Sequence, residues 1–159
     1  MVKSQRKIEF ENQLEINDKQ KNSLNSIRDQ MKELKLEPYL GKNLKNANEH
    51  FEWGDFLASA LISSRIIVYG INKIPSKTED SGDKVIFKGS IDEKIKFLRE
   101  KDIIGKGQSD KKLNIVKYVK KARDFLVHDI KRFPDASESV AILGDCLDIL
   151  KILKKLKEV

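Results

Sequence analysis

Apolar residues that recur every three or four positions are the feature of this sequence that most constrains its fold. The clearest stripe lies near the C-terminus and consists of Val140, Leu143, Leu147, Leu150 and Leu153. A second stripe, nearer the N-terminus, consists of Leu24, Ile27, Met31 and Leu34. The alternation of apolar and polar residues that strands require is hard to find, and the chain has only three prolines and eight glycines. The sequence therefore predicts an all-α protein.

The stripes, together with residues that start or stop helices, predict an up-and-down bundle of about five helices. In chain order they are expected over residues 4–36, 46 or 48 to 71, 91–104, 110–131, and from 135 or 137 onwards. Pro38 and Gly41 are expected to end the first helix, because proline lacks a backbone donor and disfavours helical geometry before it. Ser90 and Glu93 form a capping box that starts the third helix.

The 159 residues are expected to form a single helical domain, residues 1–159. About the first 20 residues are expected to fray, and residues 75–89 form a loop longer than the usual connection. The N-terminus lacks the apolar core of a signal peptide, and no run approaches the roughly 18 apolar residues of a membrane span. We therefore expect a cytoplasmic protein without a membrane association. The lone Cys146 lies in an apolar pattern and is expected to be a core residue.

Arg123, Asp124 and His128 are the candidate catalytic residues, because they crowd into six consecutive positions of the predicted fourth helix. A histidine titrates near neutrality and can take a proton from a ribose 2′-OH or give one to a leaving oxygen. A guanidinium stays charged and can hold two phosphate oxygens. Asp124 lies four positions before His128, where it can orient the imidazole ring. This chemistry requires no metal and no cofactor. The other histidine, His50, has no neighbouring ligand pattern and is expected to be a surface or packing residue.

Basic residues surround this motif, in a chain whose formal net charge is +7. The candidate RNA-binding residues are Lys117, Lys120, Lys121, Lys131 and Arg132. Cations at this density favour a polyanionic partner, because each phosphate that they neutralise releases counterions. The alternative without a function is that Asp124 and His128 are a surface pair and that the lysines are the solvated face of a helix.

The spacing Arg123-Asp124-x-x-x-His128, on a helix near the end of an all-helical chain, resembles the HEPN superfamily. Its members are small helical bundles with an R-x(4–6)-H motif, usually with Asn, Asp or His after the arginine. The resemblance implies a metal-independent endoribonuclease that acts as a homodimer, with both motif helices at a shared cleft. It also implies toxin–antitoxin, abortive-infection (antiphage) or RNA-processing settings, with an antitoxin or regulatory protein as a further partner. One subgroup has a tyrosine where this chain has Ile130, so nucleotidylation at that position is not expected.

A non-catalytic binding, antitoxin or immunity module of the same architecture is the alternative from another functional class.

Helix geometry bears on the catalytic interpretation, because residues five apart on a helix point about 140° away from each other. Arg123 and His128 of one unbroken helix therefore do not share a face. A twofold axis between two motif helices brings the arginine of one chain towards the histidine of the other.

Overall fold

The computed structural model describes residues 16–77, 87–104, 109–127 and 133–157. Within these ranges the protein has six helices and no strand, which confirms the all-α prediction. The helices are α1 (Asp18–Leu34), α2 (Pro38–Glu52), α3 (Phe56–Lys73), α4 (Ile91–Glu100), α5 (Ser109–Val127) and α6 (Ala136–Lys155).

Helix α3 is the centre of the described fold and packs against α2, α5 and α6. Polar contacts between α1 and α6 show that these two helices run parallel, because Gln20 bonds to Ser137 at one end and Lys154 bonds to the Lys35 carbonyl at the other. Ser139 of α6 likewise bonds to the carbonyl of Phe56 at the start of α3. The helices α1, α3 and α6 therefore all begin at one end of the bundle, which we call the cap end.

The helices α2 and α5 run the other way. In α2, Phe51 packs on Phe56 at the cap end while Tyr39 contacts Tyr69 at the opposite end, so α2 is antiparallel to α3. Helix α5 is antiparallel to α6 and ends at the cap end. The short α4 lies at the opposite end, where the ammonium group of its residue Lys94 donates to the backbone carbonyl of Ile74.

The predicted second helix, from Asn46 or Asn48 to Ile71, is wrong, because the structure divides this stretch into α2 and α3. Residues 53–55 form the turn between them. Gly54 has a φ of 76° there, which ordinary side chains rarely adopt. The Asp55 carboxylate then accepts a hydrogen bond from the Ala58 amide and caps α3.

The prediction that Pro38 and Gly41 stop a helix is also wrong. Pro38 is the first residue of α2, and Gly41 lies inside it. Proline is favoured at this first position, because the amide that it lacks has no partner within the helix and its fixed φ is already helical. Helix α1 ends at Leu34, near the predicted end at residue 36, and its C-cap residue Lys35 has a left-handed φ of 47°.

Side chains cap the starts of α1, α4 and α6. Asn17 and Gln20 form a reciprocal capping box at the start of α1, and residues 1–15 lie outside the described ranges. Ser90 caps α4 as predicted, but the Glu93 carboxylate accepts from the Ser76 hydroxyl and the Lys77 amide. That carboxylate therefore ties the segment after α3 to the start of α4. Of the two cap candidates for the last helix, Asp135 caps α6.

The predicted stripe of α6 forms much of the core. Its four leucines are buried, and Val140 is half-buried. Cys146 is fully buried among them, as predicted. Helices α3 and α6 approach closely at Gly70, where a side-chain methyl would collide with Ile149. The core therefore depends on a glycine as well as on the leucine stripe.

Candidate nucleic-acid interface

Helix α5 presents one buried face and one basic face. Ile115, Tyr118 and Ala122 are buried on the face that packs into the bundle. The side chains of Lys117, Lys120 and Arg123 are exposed. The apolar side chain of Val116 is also exposed. This arrangement follows from the 3.6-residue period, which places the buried and exposed sets on different sides of the helix. Three of the predicted site residues thus lie on the solvent-exposed side of α5.

Lys121 has a different environment from the other two described lysines. Its ammonium group lies 3.0 Å from Oδ2 of Asp145 on α6 and donates a hydrogen bond to it. The Asp145 side chain is only 16% exposed. Burial raises the pKa of Asp145, and the charge of Lys121 opposes that rise. Lys121 therefore joins α5 to α6, and its ammonium is not simply a solvated charge.

A second polar contact lies one helical turn away on the same interface. The Tyr118 hydroxyl donates to Oδ2 of Asp148 at 2.9 Å. Burial, followed by the nearby Asp148 carboxylate, raises the pKa of Tyr118 far above its usual range. The hydroxyl therefore stays protonated and acts as a donor. Together with the Lys121–Asp145 pair, this contact sets the rotation of α5 about its axis and hence the direction of its basic face.

The predicted catalytic residues are described only in part. Arg123 is exposed and Asp124 is half-buried on α5, and both take part in interactions. His128, Lys131 and Arg132 lie outside the described residues. The structure thus places the arginine and the acid on the motif helix near the cap end, and the relation of both to His128 remains a prediction.

His50 is a half-buried packing residue with an acidic neighbour that the sequence analysis missed. Its Nδ1 atom lies 3.3 Å from Oδ2 of Asp55, and its ring meets Trp53 edge-on at 5.4 Å between ring centres. The two residues are brought together by the turn at Gly54. On the single continuous helix that was predicted here, residues five apart would point about 140° away from each other, so the pair could not be expected from the sequence.

No protein-family model, curated protein or solved structure matches this chain. Among the described helices, none combines the length and apolar character that would let it cross a bilayer. The described residues also contain no group of three or more His, Cys, Asp or Glu arranged to hold a metal ion.

Proposed function

We propose that this protein is a metal-independent endoribonuclease of HEPN type, with its site at the C-terminal part of α5. The observation that carries the proposal is the exposed basic face of α5, which sets Arg123 beside Lys120 and Lys117 on the helix that leads to His128. An all-helical bundle with this motif on its penultimate helix agrees with a HEPN-like architecture. The described bundle contains five long helices and the short α4.

The proposed reaction is attack of the ribose 2′-oxygen on the adjacent phosphorus. The bond from phosphorus to the 2′-oxygen forms, and the bond to the 5′-oxygen of the next nucleotide breaks, which leaves a 2′,3′-cyclic phosphate. His128 takes the proton of the 2′-hydroxyl or gives a proton to the leaving 5′-oxygen, and solvent water carries out the other of these two transfers. Arg123 stabilises the negative charge that develops on the phosphorane oxygens. Asp124 orients the imidazole ring of His128.

The phosphate backbone of the RNA is proposed to follow the exposed face of α5. Lys117 and Lys120 have exposed side chains there, and Lys131 and Arg132, which lie outside the described residues, continue the basic run in the sequence. Lys121 has a smaller share in RNA binding than the sequence predicted, because Asp145 already holds its ammonium group. The proposed interface thus consists of fewer lysines than the sequence contains.

A complete site is proposed to need two copies of the chain. On an unbroken helix, side chains five residues apart, such as those of Arg123 and His128, point about 140° apart. Isologous packing of two α5 helices would bring the arginine of one protomer to the histidine of its partner. The like charges of Lys120 and Arg123 oppose such packing unless an anion lies between the protomers. A bound RNA strand supplies that anion.

A toxin or antiphage effector held in check by an antitoxin or other regulatory protein fits an activity of this kind.

The test is incubation of the full chain with single-stranded RNA in EDTA, followed by mass spectrometry of the product ends. We expect ends in 2′,3′-cyclic phosphate, or in the 3′-phosphate that forms when the ring opens. Arg123→Ala and His128→Ala should each lower the rate by about a hundredfold or more. Arg65→Ala, which removes an exposed arginine from α3, is the matched control and should leave the rate unchanged.

Products with 3′-hydroxyl ends, or activity that persists in both motif variants, would contradict this assignment. RNA that is bound but not cleaved would instead support the non-catalytic module of the same architecture.

A further inference from the structure

A cavity of about 670 Å³ opens at the cap end of the bundle. Its walls come from the turn before α3, the first residues of α3, and residues 133–137, which lead into α6. Gln20 of α1 forms another wall, and its side-chain amide donates to the Ser137 hydroxyl at 3.1 Å. The Ser139 hydroxyl donates to the Phe56 carbonyl at 3.0 Å. Hydrogen bonds between the three helix starts thus hold the cavity walls in place.

Two carboxylates line this cavity, and each is oriented by the helix that it caps. Oδ1 of Asp55 accepts from the Ala58 amide at 3.1 Å, and Oδ1 of Asp135 accepts from the Glu138 amide at 2.8 Å. Oδ2 of Asp55 lies 3.3 Å from Nδ1 of His50 and belongs to a side chain that is 51% exposed. The described residues form no hydrogen bond to Oδ2 of Asp135. Each carboxylate therefore presents one oriented oxygen that is not used by its helix.

The edge of the cavity carries an exposed aromatic ring. Phe133 lines the cavity and is 71% exposed, the largest value among the described large apolar side chains. Trp53, two residues before Asp55, is 60% exposed. Exposed aromatic rings next to a concave polar site are typical of binding surfaces, because burying them on binding is favourable. Ring faces also attract cations.

The described residues that line the cavity differ in the sign of their charge from the protein as a whole. The described residues of its walls include the two carboxylates and no lysine or arginine, whereas the chain has a net charge of +7. A phosphate group is therefore disfavoured here, and a cation is favoured. Among cations, a guanidinium group can both stack its plane on an aromatic ring and direct N–H donors at carboxylate oxygens.

We infer that this cavity binds the guanidinium group of an arginine side chain on a partner protein. The arginine stacks on Phe133 and donates to Asp55 and Asp135. The residues of this contact are not those proposed to bind RNA, so a basic protein can be held at the cap end whether or not the chain cleaves RNA.

Trp53 is the only tryptophan in the chain and lies next to the cavity wall, so its fluorescence can report binding. The probes are agmatine and a capped Gly-Arg-Gly peptide, each titrated into the full chain. We expect a saturable change. The double variant Asp55→Asn/Asp135→Asn keeps both helix caps, because asparagine caps as well as aspartate. It should weaken binding at least about tenfold, since the charge-assisted hydrogen bonds are lost. Phe133→Leu should weaken binding about threefold.

Asp92→Asn is the matched control, because it removes an exposed carboxylate from the first turn of α4 at the opposite end of the bundle. Its affinity for both probes should equal that of the wild type, and a Gly-Lys-Gly peptide should bind more weakly than Gly-Arg-Gly. Circular dichroism of each variant should show unchanged helix content. Three outcomes would each overturn the inference. They are the absence of a saturable signal at tens of millimolar agmatine, equal binding of agmatine by the double variant, and displacement of agmatine by a lower concentration of guanosine, which would indicate a nucleoside site instead of an arginine site.

Discussion

Two neighbouring lysines on α5 show how one residue type takes two roles. Lys120 is exposed, whereas Lys121 bonds to a carboxylate that is mostly buried. Exposed cations contribute to RNA binding through counterion release, and a cation already paired within the protein contributes less. The sequence alone does not distinguish the two positions, because the pairing depends on Asp145 of another helix.

Alanine substitutions should separate these roles. Lys120→Ala should reduce the slope of log affinity against log salt by about 0.7 for single-stranded RNA, which corresponds to one lost phosphate contact. Its free energy of unfolding should change by less than about 0.5 kcal/mol. Lys121→Ala should leave the slope close to the wild-type value and lower the free energy of unfolding by about 1 kcal/mol, because Asp145 loses its partner. Salt-dependent fluorescence anisotropy and urea denaturation measure the two effects, and equal slopes for both variants would refute the distinction.

Lys94 is a buried lysine whose ammonium group bonds to the carbonyl of Ile74 at the C-terminal end of α3. Burial lowers the pKa of Lys94 in the folded state below its usual value of 10.5. The unfolded chain therefore binds more protons at this position between the folded pKa and 10.5. Stability from this group accordingly rises as pH rises through that window.

Lys94→Met should remove this pH dependence. The free energy of unfolding of the wild type, minus that of the variant, should increase as the pH approaches 10.5, because the neutral amine no longer bears the cost of a buried charge. Urea denaturation at several pH values measures the difference, and other titrating groups cancel in it. Lys96→Met is the control, because its side chain is 72% exposed and should give no such trend. A difference that is flat or falls with pH would contradict the burial argument.

At the scale of elements, the contact between α3 and α6 depends on the absence of a side chain. Gly70 lies where α3 meets Ile149, and a Cβ atom there would collide with the isoleucine methyl group. Gly144 of α6 has no heavy atom within 4 Å of where its Cβ would lie. Both glycines are inside helices, so their substitution by alanine carries the same gain in helix propensity and differs in the space around it.

Gly70→Ala should lower the free energy of unfolding by about 1–3 kcal/mol, because overpacking outweighs the propensity gain. Gly144→Ala should raise the free energy of unfolding by up to about 1 kcal/mol, since it adds helix propensity without a collision. Thermal and urea denaturation of the two variants provide the comparison. If Gly70→Ala and Gly144→Ala destabilise the protein equally, the close approach of α3 and α6 at Gly70 does not determine the effect.

At the scale of the whole molecule, helix direction places different chemistry at different ends. The starts of α1, α3 and α6 meet at the cap end, where Asn17, Asp55 and Asp135 accept hydrogen bonds from helix amides. The two carboxylates also interact favourably with the positive ends of the helix dipoles. Helix α5 ends there as well. The proposed catalytic motif and the proposed arginine-binding cavity therefore share one end of the bundle, with the motif on a basic helix face and the cavity lined by acids.

The proposed dimer can be tested by mixing two inactive proteins. Arg123→Ala and His128→Ala subunits, each carrying a different affinity tag, should form a mixed dimer with one intact site and one site that lacks both residues. Its activity on RNA should be about half of the wild-type value if the two sites are independent. Each variant mixed with itself is the control and should stay inactive. A wild-type protein that stays monomeric at micromolar concentration with RNA bound would refute the shared site.

Much of the fold was predictable because it depends on residues close together in the chain. The apolar stripe of α6, the caps Ser90 and Asp135, and the buried Cys146 all follow from periodicity and from hydrogen bonds within one helical turn. The break between α2 and α3 was missed, because a long apolar run masked the turn at Gly54. Pro38 was misread because proline stops a helix in its interior and starts one at its first position.

Contacts between residues far apart in the sequence were decided only by the tertiary structure. By itself, the sequence determined that the described chain is helical, where α4, α5 and α6 start, and that α5 is basic. It did not determine that Asp145 holds Lys121, that Asp55 lies beside His50, or that residues from α1, α3 and α6 enclose one cavity. Helix periodicity and capping act over a few residues, whereas these pairs depend on how the helices are rotated and ordered. That arrangement comes from packing the whole core.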